Sequence, residues 1–306
     1  MSAPPVVSLD HVTKRFGAVV ALDDVSLTVP EGELVGLLGH TGAGKTTLLS
    51  LLNGVRRPDA GVVRLFGGDP RDPTSRVALG TTPQETGLPA TLRVREVVDF
   101  VCGHYPDPMP SAELLDVFDL SELARRQTGA LSGGQKRRLA VALAMAGRPR
   151  LVLLDEPTTG LDVDARHVLW DALRSFHSRG VTIVVTSHYL EEIEALAQRV
   201  VVVDHGVVLA DGSLREVIGR VALRRLTLSL DDGPAVTAPD ALDALGGVVR
   251  RTTDPGTGRH VLLTADADAL VRELVGAGLP FRDLEVRGAS LEEAFLSLTR
   301  REEHLV

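Results

Sequence analysis

ELVGLLGHTGAGKTT, residues 33–47, runs from an apolar block through a glycine-rich loop into a helix-forming stretch. Inside it, GHTGAGKT at 39–46 fits G-x-x-x-x-G-K-[ST], and the context of buried strand before and helix after gives that pattern its meaning. Gly39, Gly42 and Gly44 let successive backbone N–H groups turn inward on phosphate oxygens. The helix beyond aims its positive end at the same point. Lys45 supplies a point charge for the β/γ-phosphates, and the Thr46 hydroxyl a ligand for Mg²⁺. His40, Thr41, Ala43 and Thr47 complete the loop. The chain carries 33 basic residues, of which only Lys14, Lys45 and Lys136 are lysine. A lysine at 45 against that arginine-rich background points to a site needing a compact ammonium rather than a planar fork.

LVLLDE, 151–156, supplies the other half of the site. Four apolar residues lead straight into two carboxylates, which reads as a short buried strand ending in an acid pair. Ligands of parallel-sheet proteins bind at such carboxyl ends. Asp155 is placed to hold Mg²⁺ through water, and Glu156 beside it makes a pair of carboxylates that is costly to bury together. Around these motifs, short apolar runs alternate with helical spacing. Strands are expected in 6–38, at 62–66, 151–156, in VTIVVTSH and in RVVVVDHGVVLADG. Helices are expected from Lys45 to Leu52 with Asn53-Gly54 as cap, over VDARHVLWDALRSFH and over YLEEIEALAQ. The segment 88–130 carries helical spacing in TLRVREVVDFV, SAELLDVF and SELARR and reads as a helical subdomain inserted into an α/β core, about 85–145 with the helix after LSGGQ. Trp170 reads as core. Composition shifts near 220. Beyond it the expected order is strand, helix (238–245), two strands, helix, strand: the split βαβ, ferredoxin-like arrangement. A final helix follows, with Ser290 and Glu293 spaced as a capping box. The expected domains are therefore 1–220 and 221–306.

Composition limits the function classes. The chain has 306 residues, 44% hydrophobic content and a net charge of −8. That is ample for a core and argues against a nucleic-acid partner, whose binding rests on neutralising phosphates. Cys102, the single cysteine, excludes an internal disulfide or a cysteine-built metal site and reads as a small core residue. No apolar run approaches the roughly 18–20 residues that span a bilayer. MSAPPVV lacks the charged and apolar regions of an export signal, so a cytoplasmic chain is expected.

LSGGQKRRLA, 131–140, is a second glycine-rich stretch leading into a helix. With it the order of motifs resembles the ATP-binding-cassette ATPases, from about residue 6 to 220. LSGGQ matches their signature motif without substitution, and 131–162 resembles their signature-to-acid-pair block almost throughout. The resemblance implies an α/β phosphate-loop NTPase fold with an inserted helical subdomain, and ATP with Mg²⁺ as ligands. It implies that Ser132, Gly133, Gly134 and Gln135 cap the ATP held by a second copy of the chain. It also assigns roles to single residues. Phe16 corresponds to the aromatic that stacks on adenine, where a core phenylalanine is the alternative. Gln84 corresponds to the glutamine sensing Mg²⁺ and the attacking water. Asp162 corresponds to the residue crossing the dimer interface, and a helix cap is compatible with that. His188 corresponds to the switch histidine at the γ-phosphate, and Glu156 to the general base. His40 and Thr41 depart from the commoner loop residues, and TTPQETGLPATL departs around the glutamine.

The C-terminal extension and the ending VRGASLEEAFLSLTRR resemble ATP-binding subunits of exporters with separate permeases, including the daunorubicin-resistance type. The resemblance implies an ATPase on the inner face of the membrane that closes and opens as a homodimer against an integral permease. The region 221–306 would be regulatory or dimer-stabilising. Two other readings stand beside it: a soluble ATPase of the same superfamily linked to DNA or ribosomes, and an ATP-switched regulatory protein.

Overall fold

The computed structural model describes residues 4–82, 87–187, 189–230, 242 and 245–303. The chain divides into two compact units, Met1–Ser213 and Leu214–Val306. Helix Leu214–Gly219, which the sequence reading placed in the first domain, falls in the second unit and packs on the last helix, Leu291–Glu303.

The first unit begins with an antiparallel sheet of β1 (Val7–Phe16), β2 (Val19–Val29) and β4 (Ala60–Leu65), in the order β2-β1-β4. Beside it lies a six-stranded sheet built on β3 (Leu34–Leu38), β5 (Leu79–Thr82), β6 (Leu151–Asp155), β7 (Thr182–Ser187), β8 (Arg199–Asp204) and β9 (Val207–Ser213). Their order is β5-β6-β7-β3-β8-β9. All pairs are parallel except β8 with β9. β3, β6 and β7 are buried along their whole length. Their unbroken apolar runs are what a sheet covered on both faces requires. The carboxyl ends of β5, β6, β7 and β3 all point the same way, so Thr82, Asp155, Ser187 and the loop after Leu38 emerge along one edge.

Helix α1 (Lys45–Leu52) leaves that edge, buries Leu48, Leu49, Leu51 and Leu52, and stops at Asn53 before Gly54 in left-handed backbone (φ 73°). The segment between β5 and β6 holds α2 (Val94–Cys102), α3 (Ser111–Val117) and α4 (Gly133–Met145). SELARR, expected as a helix, forms only the 3₁₀ turn Ser121–Leu123. Helices α5 (Val163–Ser178) and α6 (Leu190–Leu196) flank β7, and Trp170 is buried as expected. Cys102 is buried with its thiol directed at the Met109 carbonyl, and burial pushes its pKa up, which suits packing and not catalysis.

The second unit is a four-stranded antiparallel sheet of β10 (Arg224–Leu230), β11 (Val248–Thr253), β12 (His260–Thr264) and β13 (Phe281–Gly288), in the order β11-β12-β10-β13. Helix Ala267–Gly276 connects the third of these strands to the fourth. That order is the one expected of the split βαβ arrangement. The helix expected at 238–245 lies largely outside the described residues. Leu226, Leu228, Leu262, Leu270 and Leu274 form this unit's own core. The capping box of the last helix is present, with the Ser290 N–H donating to Glu293 (2.8 Å) and the Glu293 N–H to the Ser290 hydroxyl (3.2 Å).

Candidate active site

The phosphate loop is the turn between β3 and α1. Gly44 caps α1 with φ 108°, and a Cβ there would lie 2.6 Å from the Ala21 carbonyl. A side chain at Gly39 would collide with the Val203 carbonyl. Both positions therefore admit only glycine. The loop closes on itself through Ala43 N–H to the His40 carbonyl (3.1 Å) and is tied to the β8–β9 turn by Gly206 N–H to the Ala43 carbonyl (3.0 Å). Lys45 is buried, and its ammonium donates to the carbonyls of Gly39 (2.6 Å) and His40 (3.0 Å). Burial lowers its pKa, while the carboxylates of Glu156 and Asp155 pull it back up. The lysine and the acid pair, 110 residues apart in sequence, thus share one electrostatic site. His40, Thr41, Gly42 and Thr46 are exposed around them, Ala43 is buried beneath, and Thr47 is partly covered.

Asp155 ends β6, buried, and accepts from the Thr186 hydroxyl (2.6 Å) while its N–H donates to the Thr82 hydroxyl (3.2 Å). Neighbouring strands therefore hold this residue from both sides, β7 at its carboxylate and β5 at its backbone N–H. Glu156 adopts left-handed backbone, φ 47°, uncommon for a residue with a side chain. Its N–H donates to the Thr186 hydroxyl (2.9 Å), and its carboxylate accepts from the Thr159 hydroxyl (3.3 Å). Thr186 serves both acids through one oxygen.

The signature stretch is the first turn of α4 rather than a loop preceding it. Ser132 is the N-cap: the Gln135 N–H donates to its hydroxyl (3.2 Å), and its own N–H donates to the Gln135 side-chain oxygen (3.0 Å). Ser132 and Gly133 are exposed at the helix start. A Cβ at Gly134 would come 3.0 Å from Leu161, so this turn packs on the segment leading to Asp162. Asp162 caps α5, accepting from the Ala165 N–H (2.8 Å). Phe16 is not a core residue. It is 39% exposed, with the Arg56 guanidinium 4.7 Å and the Lys14 ammonium 5.6 Å from its ring centre. Gln84 and His188 lie outside the described residues.

Sequence reasoning missed the residues that hold the site from behind: Thr82, Thr186, Arg137, and the buried pair Thr158–Glu192 (2.8 Å). Hydroxyls at the ends of two neighbouring strands were the available signal for the threonines.

A buried ammonium under a glycine cradle, sharing the carboxyl edge of a parallel sheet with an acid pair whose first member is buried, defines a nucleoside-triphosphatase of the phosphate-loop class. Residues 22–159 match the model of the family described as ABC transporter. The chain is 36% identical over 309 residues to the daunorubicin resistance ATP-binding protein DrrA3 of Streptomyces coeruleorubidus, covering 97% of this chain and 96% of that protein. It is 38% identical over 310 residues to the Nod factor export ATP-binding protein I of Burkholderia lata, covering 97% and 99%. Among solved structures, the dimeric post-hydrolysis state of the ATP-binding cassette MJ0796 bound to ADP and Pi is 28% identical, with a TM-score of 0.62 over 68% of this chain and 99% of that one. An ATP-binding subunit of an ABC transporter gives 26% identity and a TM-score of 0.64, over 71% and 93%. The chain belongs to the ABC transporter family. It is a transport ATPase, which binds and hydrolyses ATP.

Proposed function

We propose that the chain is the motor subunit of an exporter, paired with a second copy of itself and docked on a separately encoded membrane permease. One observation carries this reading. A single chain offers two helix starts suited to a polyphosphate, α1 below Gly44 and α4 below Ser132, and the second is exposed. A head-to-tail pair brings the α4 start of each copy to the α1 start of the other, so two ATP molecules join the copies. The dimeric MJ0796 cassette and the export and resistance proteins named above support it.

In this reading Lys45 and the N–H groups of residues 39–47 hold the phosphates, and Phe16 offers its ring to the adenine. The donor set suits Mg²⁺: a buried Asp155 carboxylate already oriented by Thr186, the exposed Thr46 hydroxyl on the first turn of α1, and Gln84. The metal, when bound, neutralises charge between the β- and γ-phosphates. Glu156 orients water and takes its proton as the oxygen attacks the γ-phosphorus and the bond to the β-phosphate oxygen breaks. His188 and the partner's signature residues Ser132, Gly133, Gly134 and Gln135 stabilise the transferring group, and Asp162 crosses the interface. Loss of the γ-phosphate releases the copies.

The permease would dock at a cavity of about 310 Å³ lined by Leu79, Thr81, Leu88, Val101, Tyr105 and Leu143, where the helical subdomain meets β5. Among the described residues no helix is long and apolar enough to cross a membrane, in keeping with a peripheral subunit on the inner face. The C-terminal domain, 221–306 on the sequence reading, would regulate or brace the pair. Isolation of tagged protein from its own cells in mild detergent tests the assignment. A multi-spanning membrane protein is expected in equal amount. Recovery alone, or with ribosomes or DNA, would overturn the transport partner.

A further inference from the structure

Two consecutive arginines on the signature helix reach in different directions. Arg138 donates to the Phe118 carbonyl (3.2 Å) and to Asp119 (2.9 Å), fastening α4 to the helical subdomain. Arg137, equally buried, turns the other way. Its guanidinium donates to the carbonyl of Asp155 and to that of Glu156 (2.9 Å). Both bonds leave one terminal nitrogen, Nη2, at the end of a side chain one bond longer than that of lysine.

Those carbonyls belong to the acid pair. Glu156 has left-handed backbone, a conformation that persists only where its surroundings impose it. Thr186 holds its N–H (2.9 Å) and Arg137 holds its carbonyl (2.9 Å). The peptide groups on both sides of the base are therefore pinned, and the direction of its side chain with them. Arg137 also lies in the opening turns of the helix that Ser132 caps. The Arg137 side chain therefore joins the opening turns of that helix directly to the Glu156 backbone.

We propose that Arg137 is a positioning residue that links the two ATP sites of a pair: it couples the signature turn, which caps the ATP of the other copy, to the general base acting on the ATP of its own. The inference rests on the proposed pairing for its second half. Its first half, that Arg137 aims Glu156, stands on the contacts within one chain.

The test uses full-length Arg137→Gln and Arg137→Lys. Turnover against ATP concentration, affinity for a fluorescent ATP analogue and thermal unfolding are measured on each. In Arg137→Gln, kcat falls on the order of 10- to 100-fold, the scale of losing hydrogen bonds from a charged donor. Analogue affinity stays within about twofold of the parent, because no phosphate contact is touched. The Hill coefficient drops toward one. Arg137→Lys, whose ammonium sits one bond short of Nη2, falls between the two. A folded Arg137→Gln with parental kcat overturns the proposal, as does a loss of kcat matched by an equal loss of affinity. If Arg137→Gln fails to fold, Arg137→Lys decides: parental kcat overturns the positioning role, and a several-fold loss at unchanged affinity upholds it. A low kcat with an unchanged Hill coefficient overturns the coupling. Failure of the Glu156→Gln chain to dimerise with ATP would remove the pairing and leave the kcat result to judge the positioning.

Discussion

Glu156, the base of the proposed reaction, is a residue whose carboxylate, N–H and carbonyl all have partners. Removing the charge while keeping the shape is the cleanest test. Glu156→Gln should lower phosphate release by about 10²- to 10⁴-fold, the usual contribution of a positioned base, while a fluorescent-nucleotide titration still shows ATP bound. Turnover within a few-fold of the parent would remove the base assignment. Thr186→Val should act more gently. It deletes the one oxygen that serves both Asp155 and Glu156, leaves the buried Asp155 carboxylate and the half-buried Glu156 N–H short of a partner, and should cost about 1–3 kcal/mol in a urea titration. At this scale the location of the site was legible. Lys45, Thr46, Asp155 and Glu156 carry patterns that spacing reveals. Thr186, Thr82 and Arg137 carry none, since their roles arise from contacts across 31, 73 and 18 positions of sequence.

Helix α4 opens on Ser132, and the capping box there is also the surface proposed to meet the second ATP. Ser132→Ala should destabilise the helix start by about 1 kcal/mol through loss of the cap. A urea melt would check this, and the same variant should lose turnover far beyond that loss of stability. Helix α6 holds Glu192 fully buried against the Thr158 hydroxyl (2.8 Å). Burial raises its pKa above the ordinary glutamic acid value, against hydrogen bonds from Ser187 and Thr158 and the charge of Arg166. The folded chain then binds a proton more tightly than the unfolded chain. Stability from this group is present at low pH and is lost as pH climbs from the ordinary glutamate range through the raised value. Glu192→Gln should flatten that part of the stability–pH curve, and thermal unfolding between pH 4 and pH 8 would show it. An unchanged slope would contradict the burial effect. The elements themselves were largely readable because apolar runs and helical spacing are strong local signals. β5 was not: LGTT is short, carries no alternation, and is a strand only because β6 pairs with it. The start of α4 was placed too late because two glycines argue against a helix, yet a capped first turn tolerates them.

Strand order belongs to the whole molecule. The order β5-β6-β7-β3-β8-β9 sets the ends of β6 and β7 beside the phosphate loop, and no local pattern encodes it. The alternation of buried strands and helices gave the fold class. The resemblance in the order of motifs gave the family, and the second unit's strand order agreed with an arrangement inferred from element order alone. On the proposed pairing, the α4 start of a second copy covers the ATP held at α1. Light scattering on the purified Glu156→Gln chain, with and without ATP and Mg²⁺, measures this directly. The account predicts a shift from a 32.6 kDa monomer to a particle of twice that mass holding one ATP per chain, and no shift when Ser132→Arg is added. A Glu156→Gln chain that binds ATP to saturation and stays monomeric at every concentration would contradict it.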